Sequence, residues 1–311
     1  MITDTSKNPS KSDIFGGQQK VYAALWCQAI CDAVGNPFEF QSNPDPEKVI
    51  DHLHDNPLVI SDDTQMAMFG FQAMHFLLDG TKPLTKPDFE RVFTEQYLAW
   101  HITQTNTKHA YDNYVYCFSV LNTSPLLGFQ SMFSIQSPGT TCLSALHRLR
   151  NHSPLINDSK GCGSVMRLLP LLLLYKNGRY PRKRTEIIEY AIISAGITHH
   201  HPENAVAAKL YIETAMDLMD RLPIREMHPT VKDISVIGGG WTALEAVEMA
   251  IWAVGKAKSF EELLTLTICH GGDSDSVAAI AGSLWGLTGK YWPGVTDRLD
   301  VRDALTYICG E

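Results

Sequence analysis

Apolar residues recur along most of this chain at spacings of three and four, the period of a helix that buries one face. Over residues 18–34, Val21, Ala24, Leu25, Ala29 and Val34 gather on one side, and Gly35-Asn36-Pro37 predicts the stop. Thr64–Leu78 repeats the pattern with Met66, Phe69, Gly70, Ala73, Met74 and Leu77, and Gly80 ends it. Further helices are predicted over Lys86–Thr103, Thr140–Arg150, Ser164–Tyr175, Arg184–Ile197, Glu203–Asp220, Trp241–Lys256, Phe260–Thr267 and Val277–Thr288. Strict alternation is scarce, with Leu58-Val59-Ile60 and Ile234–Ile237 as the short strand candidates. The pattern therefore predicts one all-α domain of about ten helices. It covers residues 18–311, after a polar tail at 1–17 expected to be disordered.

Composition narrows the function classes. The 311 residues are 44% hydrophobic, enough for a sizeable core and too many for a chain disordered throughout. Basic residues number 26 and acidic ones 34; the net charge of −8 leaves no basic excess to hold a phosphate backbone, so nucleic acid is not an expected partner. The apolar run Leu168–Tyr175 is interrupted by Pro170 and falls far short of the ~20 residues that cross a bilayer, so no membrane span is expected. Seven cysteines form an odd set without a CxxC pair, and Cys27 and Cys31 stand one helical turn apart. These read as buried, reduced thiols in a cytoplasmic protein.

The candidate chemistry lies in two acidic clusters, each where a loop enters a helix: Ser61-Asp62-Asp63-Thr64-Gln65 and Gly271-Gly272-Asp273-Ser274-Asp275-Ser276. A single Ser or Asp is enough to cap a helix N-terminus. Two carboxylates with flanking hydroxyls exceed that need, and neighbouring carboxylates repel unless a cation shares them. Together the clusters offer four carboxylates and two hydroxyls, all hard oxygen donors, which suit Mg²⁺, Mn²⁺ or Ca²⁺ rather than structural zinc. Elsewhere the local reading is structural. Asp32 sits in an apolar helix as a buried partner, Glu39 follows a Pro turn, and Gly282 and Gly286 lie four apart for tight helix contact. Gly161-Cys162-Gly163-Ser164 serves either as a tight turn or as a phosphate cradle ahead of an apolar helix. Arg167 is read as pairing with a buried carboxylate in preference to phosphate. His199, His200 and His201 cannot all face one site, which argues against a zinc cluster.

In order along the chain, Cys31–Glu39, Ser61–Thr64, Ser137–Thr140, Lys160–Arg167, Thr198-His199 and Gly271–Gly282 resemble the motif blocks of the ADP-ribosylglycohydrolase family. The resemblance runs from Gln18 to Gly289, and its first and last blocks are the most specific. It implies an orthogonal multi-helical, all-α enzyme with two Mg²⁺ or Mn²⁺ ions at the base of a cleft. Ser61, Asp62, Asp63, Asp273, Asp275 and Ser276 would be the metal ligands, with Glu39 on or beside the second ion. The implied reaction is hydrolysis of the bond between ADP-ribose and a modified protein side chain, an arginine N-glycosidic linkage foremost. Asp62 is the first choice of general base and Glu39 the second. The implied ADP-ribose contacts are Glu39, Ser159, Gly161, Cys162, Gly163, Ser164 and His199, with His200 and His201 as a polar approach to a helix. Two departures stand out: Cys31 replaces a usual glycine, and Cys162 replaces a frequent asparagine. No acidic ligand is missing, which favours an active enzyme over the two alternatives, a non-catalytic ADP-ribose-binding relative and a hydrolase of another ADP-ribose conjugate.

Overall fold

Each predicted helix owes its position to a boundary residue as much as to its apolar stripe. In the computed structural model, which describes residues 11–80, 83–104, 124–175, 177, 182–290 and 292–310, eleven α-helices and several 3₁₀ turns account for the regular structure. The helices are α1 (Lys11–Gly35), α2 (Pro46–Asp55), α3 (Asp62–Asp79), α4 (Lys86–Thr103), α5 (Thr140–Arg150) and α6 (Arg184–Gly196). They continue with α7 (Pro202–Met219), α8 (Ala243–Lys256), α9 (Phe260–Ile268), α10 (Ser274–Thr288) and α11 (Arg302–Cys309). Among the described residues the only β-type pairings are two isolated bridges, Leu58 with Leu299 and Gly161 with Thr242. The fold is all-α.

The centre of the molecule is the pair α1 and α10. Both are apolar around most of their circumference, as befits helices enclosed by others. Their approach depends on the glycines expected to permit contact. A Cβ on Gly286 would stand 2.5 Å from Ala24 Cα, and one on Gly282 would stand 2.7 Å from the Cys27 carbonyl oxygen and 2.8 Å from Cys31 Sγ. Gly35 does the same at the other end, where a Cβ would lie 2.8 Å from Asp275 Cα. The end of α1 is thereby seated against the first turn of α10. Around this pair Phe69, Phe71, Trp100 and Tyr211, with Trp285 of α10 itself, fill the interior, each contributing roughly 2–3 kcal/mol by leaving water.

Four features differ from the pattern-based expectation. The first helix runs back to Lys11, into the stretch expected to be disordered, while residues 1–10 lie outside the described residues. Ser164–Tyr175 is not an α-helix; it holds the end of one 3₁₀ turn (Cys162–Ser164) and all of a second (Leu169–Leu174). Pro170 lacks an N–H and its ring excludes a continuous α-helix; that ring instead packs against Gly70 of α3, where a Cβ would sit 2.9 Å from Pro170 Cγ. Neither strand candidate forms a strand. Leu58 makes a single bridge, and Ile234–Val236 is a 3₁₀ turn opened by Asp233 accepting the Ser235 N–H. The short helices α2 and α11 were not predicted, although Asp45-Pro46 is a helix start, with Asp45 accepting the Glu47 N–H at 3.0 Å.

Candidate functional site

Two helix N-termini, more than two hundred residues apart in sequence, meet in one cleft of about 370 Å³. At α3, Ser61 Oγ accepts the Asp63 N–H at 3.2 Å and donates to Asp63 Oδ2 at 3.1 Å. Asp62 N–H donates to Gln136 O at 2.8 Å, and Asp62 Oδ2 accepts the Gly139 N–H at 3.3 Å. At α10, Asp273 N–H donates to Gly239 O at 2.8 Å, while Ser274 turns away to donate to Gly35 O at 3.3 Å. That rotation leaves Asp273, Asp275 and Ser276 on the cleft wall. Glu39, on the loop after α1, completes the group: one oxygen each from Glu39, Asp273 and Asp275 lie within 4.8 Å of one another.

The electrostatics of this cluster are unfavourable by themselves. Burial, followed by the charge of Asp275, pushes the Asp62, Asp63 and Asp273 carboxyls well above their ordinary range. Asp275 is also raised by burial, and Glu39 is pushed up to about 8 by burial and by Asp275. Among the described residues no lysine or arginine lines the cleft to offset them. Asp63 Oδ1 is buried without a hydrogen-bond partner. A buried orphan acceptor amid crowded carboxylates is the arrangement that a hard divalent cation relieves, so the donor set fits such an ion.

Of the sequence-predicted residues, Glu39, Asp62, Asp63, Gly161, Cys162, Gly163, His199, Asp273, Asp275 and Ser276 line the cleft. Ser61 lies fully buried beneath it. Ser159 and Ser164 do not line it. Ser164 Oγ donates to Asn204 Oδ1 at 2.8 Å, and Ser159 Oγ accepts the Gly161 N–H at 3.3 Å, so both fasten the glycine loop from behind. The loop itself closes in a 3₁₀ turn, Cys162–Ser164, and no α-helix follows it where one was expected, so no long helix dipole points at it. Cys162 Sγ, in place of the frequent asparagine, donates to Asp273 Oδ2 at 2.9 Å and accepts from Ser276 Oγ at 3.3 Å.

His199 is held by Thr198, with Oγ1 2.8 Å from Nδ1, and burial followed by the Arg167 charge lowers it to about 3, so it faces the cleft as neutral imidazole. His201 caps α7 by accepting the Glu203 N–H at 3.1 Å. Arg167 departs from the expected carboxylate pairing. It donates to Thr198 Oγ1 at 2.6 Å and Ser194 O at 3.2 Å, and its guanidinium stands 4.2 Å from the centre of the Tyr97 ring. Asp32 is the buried partner it was read to be, bonded to the backbone at the start of α3. Phe40, Thr141, Cys142, Met166 and Trp241 line the cleft without having been singled out. The run Gly238-Gly239-Gly240 just before Trp241 was the available signal, since it marks backbone built for close approach.

The family model described as ADP-ribosylglycohydrolase matches residues 16–292. The chain belongs to the ADP-ribosylglycohydrolase family. A curated relative, an uncharacterized protein of Archaeoglobus fulgidus, is 28% identical over 182 residues; the match takes in 48% of this chain and spans only 58% of that relative's length. A solved structure titled as an ADP-ribosylglycohydrolase-related protein complex superposes with a TM-score of 0.57 at 20% identity, covering 94% of this chain and 96% of that one. That likeness concerns the fold.

Proposed function

We propose that this member of the ADP-ribosylglycohydrolase family is a metal-dependent hydrolase that removes ADP-ribose from a modified protein side chain, with the arginine N-glycosidic linkage as its substrate bond. The observation that carries the reading is the convergence of Asp62-Asp63 and Asp273–Ser276 on a single cleft beside Glu39. Ser61, Asp62, Asp63, Asp273, Asp275 and Ser276 would hold two Mg²⁺ or Mn²⁺ ions, with Glu39 at the second. When bound, such ions supply Lewis acidity and offset the crowded negative charge.

The chain's own groups do the rest. The reacting bond has an oxocarbenium-like transition state, which carboxylates beside the anomeric carbon stabilise by charge. Asp62 accepts the proton of the attacking water. Its Oδ2 is oriented by the Gly139 N–H, so that this oxygen would take the proton while the other faces a cation. Glu39 is the alternative base. The backbone of Gly161–Gly163 cradles the diphosphate, fastened by Ser159 and Ser164, and neutral His199 exchanges hydrogen bonds with a ribose hydroxyl.

The decisive assay incubates the protein with ADP-ribosyl-arginine peptide and Mg²⁺ or Mn²⁺ and follows free ADP-ribose by chromatography. Metal-dependent release supports the proposal. Tight ADP-ribose binding without release from arginine, serine or other linkages would replace it with the non-catalytic alternative.

A further inference from the structure

Two aromatic rings stand exposed at this cleft. Phe40 is 72% and Trp241 44% accessible, and the rings stack with centroids 5.4 Å apart and planes 19° from parallel. Both line the same cleft as the carboxylates. We propose that Phe40 and Trp241 form a platform that receives the planar guanidinium leaving group as ADP-ribose is cut from it. The inference rests on the glycohydrolase reading above and names the part of the substrate that reading leaves unplaced.

The backbone is built to hold the rings there. Phe40 has φ 64, in the left-handed region that a bulky side chain avoids unless its surroundings impose it. It directly follows Glu39. On the other side a Cβ on Gly239 would stand 2.7 Å from Trp241 Cδ1, so the indole sits against its own backbone where only glycine leaves room. The Gly239 carbonyl in turn accepts the Asp273 N–H at 2.8 Å. A Cβ on Gly240, at φ 80, would lie 3.4 Å from Asp273 Cβ. One short segment therefore anchors a carboxylate of the cluster and carries the ring beside it.

Chemistry selects the occupant. In the hydrolysis the bond from the anomeric carbon to nitrogen breaks with its electron pair going to nitrogen. Water adds its oxygen to that carbon, and its proton is delivered to nitrogen by way of the base, so the departing group is a guanidinium. It leaves beside carboxylates, in a cleft whose lining holds no lysine or arginine among the described residues. A guanidinium is flat, weakly hydrated and stacks on aromatic faces; an ammonium is compact and strongly hydrated, and a serine hydroxyl carries neither charge nor π-face. The neighbouring Gly161–Gly163 loop, bridged to Thr242 beside Trp241, is left for the diphosphate, whose charge and lack of a π-face suit backbone N–H groups rather than rings.

The test is calorimetric titration of the Mg²⁺-loaded protein with agmatine, butylamine and ADP-ribose, each separately, on wild type, Trp241→Ala, Trp241→Phe and Phe40→Ala, with circular dichroism verifying each fold. The platform predicts that agmatine binds more tightly than butylamine. It predicts roughly tenfold weaker agmatine binding in Trp241→Ala, partial recovery in Trp241→Phe, and unchanged ADP-ribose affinity in both. Agmatine binding that is absent from wild type, insensitive to Trp241→Ala, or matched by butylamine overturns the proposal. A fall in ADP-ribose affinity in Trp241→Ala overturns it too, by giving the rings to the adenine base. Failure of wild type to bind ADP-ribose is a separate result and counts against the glycohydrolase reading itself.

Discussion

Asp32 Oδ1 accepts the Ser61 backbone N–H across 3.0 Å, and its other oxygen accepts the Thr64 N–H across 3.1 Å. A carboxylate of α1 thus satisfies two free donors at the N-terminus of α3 and sets where Asp62 and Asp63 point. Asp32→Asn replaces one acceptor with a donor facing an N–H. It should cost about 1–3 kcal/mol in urea unfolding and weaken Mn²⁺ binding, measured by titration calorimetry. Undiminished metal affinity would detach Asp32 from the site.

Asp62→Asn and Asp273→Asn should lower metal affinity and abolish turnover, while far-UV circular dichroism stays helical. Each removes a charge from a cluster that is crowded with charge, so the fold itself is not expected to suffer. Full activity at full metal occupancy would remove the altered residue from the mechanism.

The carboxyl shifts predict how the metal-free protein responds to pH. Glu39 is raised to about 8 by burial and by Asp275, and Asp62, Asp63 and Asp273 are raised well above their ordinary range by the same causes. The folded chain then retains protons that the unfolded chain, with carboxyl values near 4, has released, so stability falls as pH rises toward and through 8. Metal-free protein should melt lower at about pH 8.5 than at about pH 6.5. Saturating Mg²⁺ should raise the melting temperature most at the higher pH. A flat metal-free profile by calorimetry would contradict the crowding argument.

His199 carries the opposite sign. Burial and Arg167 lower it to about 3, so the neutral ring stabilises the fold above the unfolded value of about 6.5, and that contribution is lost as pH falls toward 3. His199→Gln should flatten the acid limb of the stability curve between about pH 6 and 4, followed by urea midpoints. An unchanged limb would place the acid sensitivity elsewhere.

Gly286→Ala inserts a methyl group 2.5 Å from Ala24 Cα, against backbone that cannot yield as a side-chain tip would. The expected loss is about 3 kcal/mol, with α1 and α10 forced apart. Because α10 begins at the acidic cluster, metal affinity should fall alongside stability. A substitution costing less than about 0.5 kcal/mol would show that the two helices have slack.

The amino-acid pattern alone determined the helical class, most helix spans and the two clusters of hard oxygen donors at helix starts. Apolar periodicity and paired carboxylates at helix starts are local properties, set within a few positions. It misread Ser164–Tyr175, because an apolar run reads alike in an α-helix and in 3₁₀ turns, and the seat of Pro170 against Gly70 is a contact between distant elements. The shared site of Asp62 and Asp273 was implied by the family resemblance and not by local pattern, Ser159 and Ser164 were assigned to the ligand where they fasten a loop, and nothing in the pattern brought Phe40 to Trp241. Those placements depend on how α1, α3 and α10 pack through Gly35, Gly282 and Gly286. Distances between segments far apart in sequence arise only when close-packed side chains and backbone exclude the alternatives.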